Sequence, residues 1–177
     1  MPIKVVIIGP ESTGKSTLAS QLATHFGCHW VPEYARTYLE NLNREYIYTD
    51  LLEIAKGQMD LEDMYALKKN DLLVCDTDLH VVQVWSQHKF GKVDPWILQE
   101  IEKRKYDLYL LTDIDIPWQH DPLREHPEPE MRIYFSQIYR ELVEATGVPF
   151  YTISGSSEQR IHAAVAIVNS LLSAKGT

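Results

Sequence analysis

Gly9-Pro10-Glu11-Ser12-Thr13-Gly14-Lys15-Ser16 follows the apolar run Ile3, Val5, Val6, Ile7, Ile8 and precedes a segment of helical spacing. It reads G-x-x-x-x-G-K-S, the Walker A motif, in the strand, loop and helix context that the motif requires. In such a loop the backbone N–H groups of residues like Glu11, Ser12 and Thr13 cradle phosphates, Lys15 reaches the β and γ oxygens, and the Ser16 hydroxyl ligates Mg²⁺. Gly9 and Gly14 let the backbone turn and approach the ligand closely. The following helix turns the positive end of its dipole toward the anion. The loop therefore predicts a site for a nucleoside triphosphate and Mg²⁺.

Outward from that loop the chain alternates strands and helices. Leu18, Leu22, Ala23 and Phe26 mark a helix stopped by Gly27, and residues 28–31 form a short strand broken by Pro32. Helical spacing returns at Glu33 to Leu39 and again from Thr49 to Lys69, where Thr49 or Asp50 is the expected cap. Gly57 lies inside that long helix, where glycine costs about 1 kcal/mol relative to alanine. Either another element packs there, or substrate approaches near Gln58. Residues 71–76 are a continuous apolar run ending in Asp76, as in a fully buried parallel strand. Helices at 79–89 and 95–104, a strand at 108–112, a helix from Met131 to Gly147, a strand at 148–153 and a terminal helix complete the order. Residues 113–129 hold four prolines and no period, so a functional loop is expected there. Five strands alternating with helices predict an α/β sandwich around a parallel sheet, folded as one domain over residues 1–177.

Composition narrows the function. Twenty-five acids against seventeen bases give a net charge of −8, and no long basic block occurs, which argues against nucleic acid as a partner. An acidic surface tolerates a cationic small molecule. No apolar run is long enough to span a bilayer, and no signal-peptide pattern opens the chain, so a cytoplasmic protein without a membrane partner is expected. Cys28 and Cys75 have no metal-ligand neighbours. A homo-oligomer is left open.

Ligands of parallel sheets bind beyond the carboxyl ends of the strands, where this sequence places Gly9 to Ser16, Glu33 to Arg36, Asp76 to Asp78 and Asp113 to Arg124. Asp76, after an apolar strand, is the candidate Walker B acid for Mg²⁺. Asp78 or Glu33 could accept the proton of an attacking hydroxyl or fix two neighbouring hydroxyls of a sugar, and Glu33 and Asp76 rank about equally as base. Each of these acids has helix capping as its plainer role. Arg124 is a candidate lid arginine that closes over the phosphates. Trp30, Tyr34, Tyr38 and Trp118 are candidates to stack on a flat or cationic ring, with some of them expected to be ordinary core aromatics. Arg36, Gln58, His120 and Asp121 are further candidate substrate contacts.

Four segments in order, GPESTGKST, PEYAR, DTD and PWQHDPLR, carry a resemblance that covers nearly the whole chain. The sequence resembles the ribosylnicotinamide kinase domain of the NadR group. The resemblance implies a P-loop NTPase, nucleoside-kinase-like three-layer sandwich with a lid loop at about 113–129. It implies transfer of the ATP γ-phosphoryl group to the 5′-hydroxyl of nicotinamide riboside, giving nicotinamide mononucleotide. Lys15, Ser16 and Thr17 would then hold ATP and Mg²⁺, Glu33, Asp76 and Asp78 the riboside and metal, and Arg124 the lid contact. The pattern departs at Pro32, where family members can carry a tryptophan before the Glu-Tyr pair; here the tryptophan is Trp30. No H-x-G-H motif occurs, so adenylyltransferase and repressor activities are not carried over. Two alternatives remain: a kinase of another nucleoside or small hydroxyl metabolite, or a nucleotide-switched binding module with weak ATPase activity.

Overall fold

The computed structural model describes residues 1–68 and 71–176. The strands are β1 Ile3–Ile8, β2 His29–Val31, β3 Leu72–Asp76, β4 Leu108–Thr112 and β5 Phe150–Ile153. The helices are α1 Lys15–Phe26, α2 Tyr34–Glu40, α3 Tyr48–Ala66, α4 Leu79–Phe90, α5 Pro95–Lys103, α6 Pro129–Ala145 and α7 Ser157–Lys175. All strand pairs are parallel, in the order β2-β3-β1-β4-β5. After β1 the chain moves toward one edge, and after β3 it crosses to the other, which opens a crevice above the carboxyl end of β1.

Strand alternation sorts the apolar residues onto two faces. Val5 and Ile7 pack with Leu18, Leu22, Ala164 and Val168 of α1 and α7. Val6 and Ile8 pack with Val81, Val84, Phe135 and Val143 of α4 and α6. Each of these β1 side chains is fully buried, a burial that contributes about 1.5–3 kcal/mol per residue. A third cluster joins α2, α3, α4 and α5 through Ala35, Leu51, Ile54, Met59, Leu79 and Ile97. The result is a three-layer α/β sandwich on a five-stranded parallel sheet.

Two local features differ from expectation. The cap of α3 is neither Thr49 nor Asp50: the helix begins at Tyr48, and the Asp50 carboxylate reaches back to accept the Ile47 N–H at 2.7 Å. Asp50 also accepts from Arg44 and from the Tyr38 hydroxyl, so it anchors the preceding loop as well. The described helix ends at Ala66; Lys69, its expected end, lies outside the described residues. At the other end of the lid, α6 takes Pro129 as its first residue, where a proline's missing N–H costs nothing.

Candidate active site

Gly9 ends β1 at φ 148°, and a Cβ there would sit 2.4 Å from Thr112 Oγ1 and 2.9 Å from the Thr112 carbonyl oxygen. The loop thus starts pressed against the end of β4, with the Thr13 and Thr112 hydroxyls 2.7 Å apart behind it. Gly14, at φ 78°, hands the loop over to α1. Arg160 supports the loop from behind: it donates to the Thr13 carbonyl at 2.7 Å and is paired with Asp115. Lys15 donates to the Pro10 carbonyl at 2.7 Å, so its ammonium is folded back across the loop.

Lys15, Glu33, Arg36 and Arg124 line one cleft together with Gly9, Glu11 to Thr17, Leu39, Val81, Trp85, Leu123 and Tyr139. Glu33 reaches it because Pro32 ends β2 and Glu33 itself occupies the cap position of α2. Burial pushes the Glu33 carboxyl up; Lys15 opposes this, and the neighbouring Asp76 charge adds to the rise. Burial lowers Lys15, against the pull of Glu33, Asp76 and Glu11. Asp76 is 1% exposed and its Oδ1 has no hydrogen-bond partner. Burial raises its pKa, while the Ser16 hydroxyl and Lys15 pull it down.

Thr77 explains why Asp76 and Asp78 part company. It adopts φ 74°, a left-handed conformation costly for a β-branched residue, and its N–H is pinned to the Ile7 carbonyl at 2.9 Å. Asp76 consequently faces Ser16 and Lys15. Asp78 faces away from the cleft, accepting the Tyr109 hydroxyl at 2.8 Å, the His80 N–H at 3.0 Å and a contact with His80 Nδ1 at 2.7 Å. Its oxygens hold buried structure together, in place of the expected substrate contact.

Several other expected substrate contacts are also occupied elsewhere. Gln58 is 3% exposed and braces two segments, accepting the Tyr34 N–H at 2.7 Å and donating to the Pro32 carbonyl at 3.4 Å. What approaches Gly57 is the Tyr34 ring, whose Cε1 would lie 2.1 Å from a Cβ there. Trp30 packs into the α1 and α7 core layer. Asp121 pairs with Arg36 at 3.1 Å and caps the Leu123 N–H. Trp118 and His120 sit in the lid with rings 6.0 Å apart, and Trp118 Nε1 donates to Glu11 at 3.4 Å.

A family model described as an AAA domain matches residues 4–160. The chain belongs to the AAA_28 family of AAA domains. The trifunctional NAD biosynthesis/regulator protein NadR of Escherichia coli (strain K12) is 30% identical over 153 residues, 84% of this chain and 37% of that protein. A solved structure of NadR protein in complex with NR superposes with a TM-score of 0.79 at 24% identity, covering 96% of this chain and 51% of that one. NadR protein in complex with NAD and AMP-PNP matches with the same score, covering 96% of this chain and 49% of that one. Deoxyadenosine kinase from M. mycoides with bound dATP matches at 0.58 and 13% identity, over 94% of this chain and 99% of that one. The chain spans about half or less of the NadR proteins it matches. The fold is that of P-loop NTPases, with NadR and nucleoside kinases as structural neighbours.

In this AAA domain the cleft adjoins, beneath the lid, a pocket lined by Leu39, Tyr46, Trp85, Leu123, Phe135 and Tyr139 together with Glu11, His88, Lys89, Glu125 and His126. Sequence reasoning did not select Trp85 or Tyr139, because both fall on the helical spacing of ordinary core residues in α4 and α6. On the other side of the phosphate loop, Thr17, Leu18, Gln21, Ile116, Pro117, Gln119 and Ser157 line a second cavity, and Arg124 borders both. Among the described residues no cluster of three or more His, Cys, Asp or Glu is arranged to hold a metal alone. No helix among the described residues is long and apolar enough to cross a membrane.

Proposed function

We propose that the chain transfers the γ-phosphoryl group of ATP to the 5′-hydroxyl of nicotinamide riboside. The observation that carries this is the division of space by one phosphate loop: a cavity on the α1 and α7 side for the donor's base, and an acid-bearing, aromatic-lined cleft on the other for an acceptor. The likeness to NadR supports the riboside as acceptor.

Asp76 and Ser16 fit Mg²⁺. A buried carboxylate oxygen without a partner beside a hydroxyl is the small oxygen donor set that Mg²⁺ completes with water and substrate phosphates. The ion would supply neutralisation of charge on the β and γ oxygens. Glu33 stands at the acceptor side of Lys15, and its raised pKa suits a carboxylate that takes up the proton of an attacking hydroxyl. Lys15, once turned from Pro10 onto the triphosphate, neutralises the transferring group, and Arg124 closes over it from the lid. Trp85 and Tyr139 line the pocket where a pyridinium ring would stack.

The test is ADP release with MgATP against a panel of nicotinamide riboside, purine and pyrimidine nucleosides, and no acceptor. Strong stimulation by nicotinamide riboside, with nicotinamide mononucleotide as product, is expected. Stimulation by another nucleoside alone replaces the acceptor, and a rate indifferent to every acceptor favours the nucleotide-switched module.

A further inference from the structure

Arginine pairing singles out one residue that no motif marks. Of the seven arginines, Arg36, Arg44, Arg104, Arg140 and Arg160 each have a carboxylate partner. The two that have none among the described residues are Arg124, which donates to the Gln119 carbonyl at 2.6 Å, and Arg132 at the start of α6. Nη2 of Arg132 donates to the Ile116 carbonyl at 3.0 Å and lies 3.5 Å from that of Ser12, while its Nε is buried with no partner. Glu11 and Asp115 act on it only at longer range, and burial works against its charge. In an acidic chain, Lys15, Arg124 and Arg132 thus surround the phosphate loop with their charges on carbonyl oxygens alone.

We propose that Arg132 is a positioning residue for the triphosphate, its unneutralised guanidinium joining the Ser12 end of the phosphate loop to the lid root at Ile116 and strengthening nucleotide binding. Its half-buried charge, held by carbonyl oxygens with Nε unpartnered among the described residues, is costly in the free protein, and a polyanion bound on the adjacent loop offsets that cost. Nucleotide affinity and lid placement are thereby coupled through one side chain. This rests on the phosphate-loop part of the function proposed above and not on the identity of the acceptor.

The experiment compares Arg132→Met and Arg132→Lys with the wild type by MgATP titration calorimetry and by thermal melting with and without MgATP. Arg132→Met should bind MgATP about tenfold or more weakly, as expected for loss of a strong charge interaction. Its melting midpoint without nucleotide should hold, because the lost carbonyl contacts are offset by removal of a half-buried charge, and its gain on adding MgATP should shrink. Arg132→Lys should recover part of the affinity. The proposal is overturned if Arg132→Met binds MgATP within twofold of wild type. It is equally overturned if the midpoint falls without nucleotide and Arg132→Lys restores the midpoint but none of the affinity, which marks a brace alone. If the methionine variant does not fold, Arg132→Lys with wild-type melting and partly reduced MgATP affinity supports the proposal, and wild-type melting with undiminished affinity overturns it. A chain that binds MgATP in the wild type yet phosphorylates no riboside would refute the acceptor reading and leave this one standing.

Discussion

Glu11 of the phosphate loop accepts the backbone N–H of His126 in the lid at 2.6 Å, and its other oxygen accepts that of Glu125 at 3.1 Å. The loop that receives phosphate therefore also holds the lid. Both contacts are charge-assisted but partly exposed, so together they are worth about 1–2 kcal/mol. Glu11→Ala should make residues 113–128 several-fold more susceptible to limited proteolysis, while far-ultraviolet circular dichroism stays unchanged. Lid cleavage at the wild-type rate would show that Glu125, held by Lys89 and Tyr46, suffices as the latch.

Asp76 and Asp78 should respond oppositely to replacement by asparagine. Asp76→Asn removes a buried charge one of whose oxygens has no partner among the described residues, so melting should change little while the dependence of turnover on Mg²⁺ weakens at least tenfold. Asp78→Asn breaks the buried contacts to His80 and Tyr109 and should cost about 3 kcal/mol of stability. Chemical denaturation and Mg²⁺ titration of both variants check this. A larger Mg²⁺ effect in Asp78→Asn would reverse the assignment.

Gly57→Ala gains helix propensity of about 1 kcal/mol. It also drives a methyl into the Tyr34 ring, and such overpacking costs about 1–3 kcal/mol. The net effect in the wild type should be destabilising. In a Tyr34→Ala background the same change should be neutral or stabilising. A double-mutant cycle measured in urea tests it, and additive values would mean that the ring moves aside freely.

The His80 and Asp78 pair predicts a pH dependence. Burial alone would lower the His80 pKa, but the Asp78 charge and hydrogen bond overcome it, and the net shift is upward from 6.5. A raised folded value means that His80 contributes stability fully below about pH 6.5, and that this contribution is lost as pH rises through the folded value. The stability difference between wild type and His80→Asn should therefore shrink from pH 5.5 to pH 9. A difference constant over that range would mean that folding does not shift the ring's pKa, and one that grows with pH would mean that the ring is held neutral in the folded protein.

Legibility followed the range of the interactions involved. The five strands and the loop from Gly9 to Ser16 were readable because a buried parallel strand and a phosphate loop each declare themselves within ten residues. The layer that Trp30 joins is a matter of register: successive strand residues face opposite layers, and pairing with Val74 of β3 puts Trp30 on the α1 and α7 side. Asp78 parts from Asp76 at the left-handed turn of Thr77, and its oxygens meet His80 and Tyr109. Neither orientation can be read from residue type.

By itself, then, the sequence specified local chemistry: a phosphate cradle, acids after strands, and a proline-rich loop in a named order. Tertiary structure decided which of those groups meet. Glu33 follows β2 and Asp76 ends β3, and they share the neighbourhood of Lys15 only because β2, β3 and β1 are adjacent in the sheet. Arg132 reaches Ser12 across 120 residues of chain. Such contacts arise from the packing of the lid and α6 against the end of the sheet, which no short-range spacing encodes. Thus Gly9 to Ser16 says that phosphate binds, and the fold says which cations and which acid stand around it.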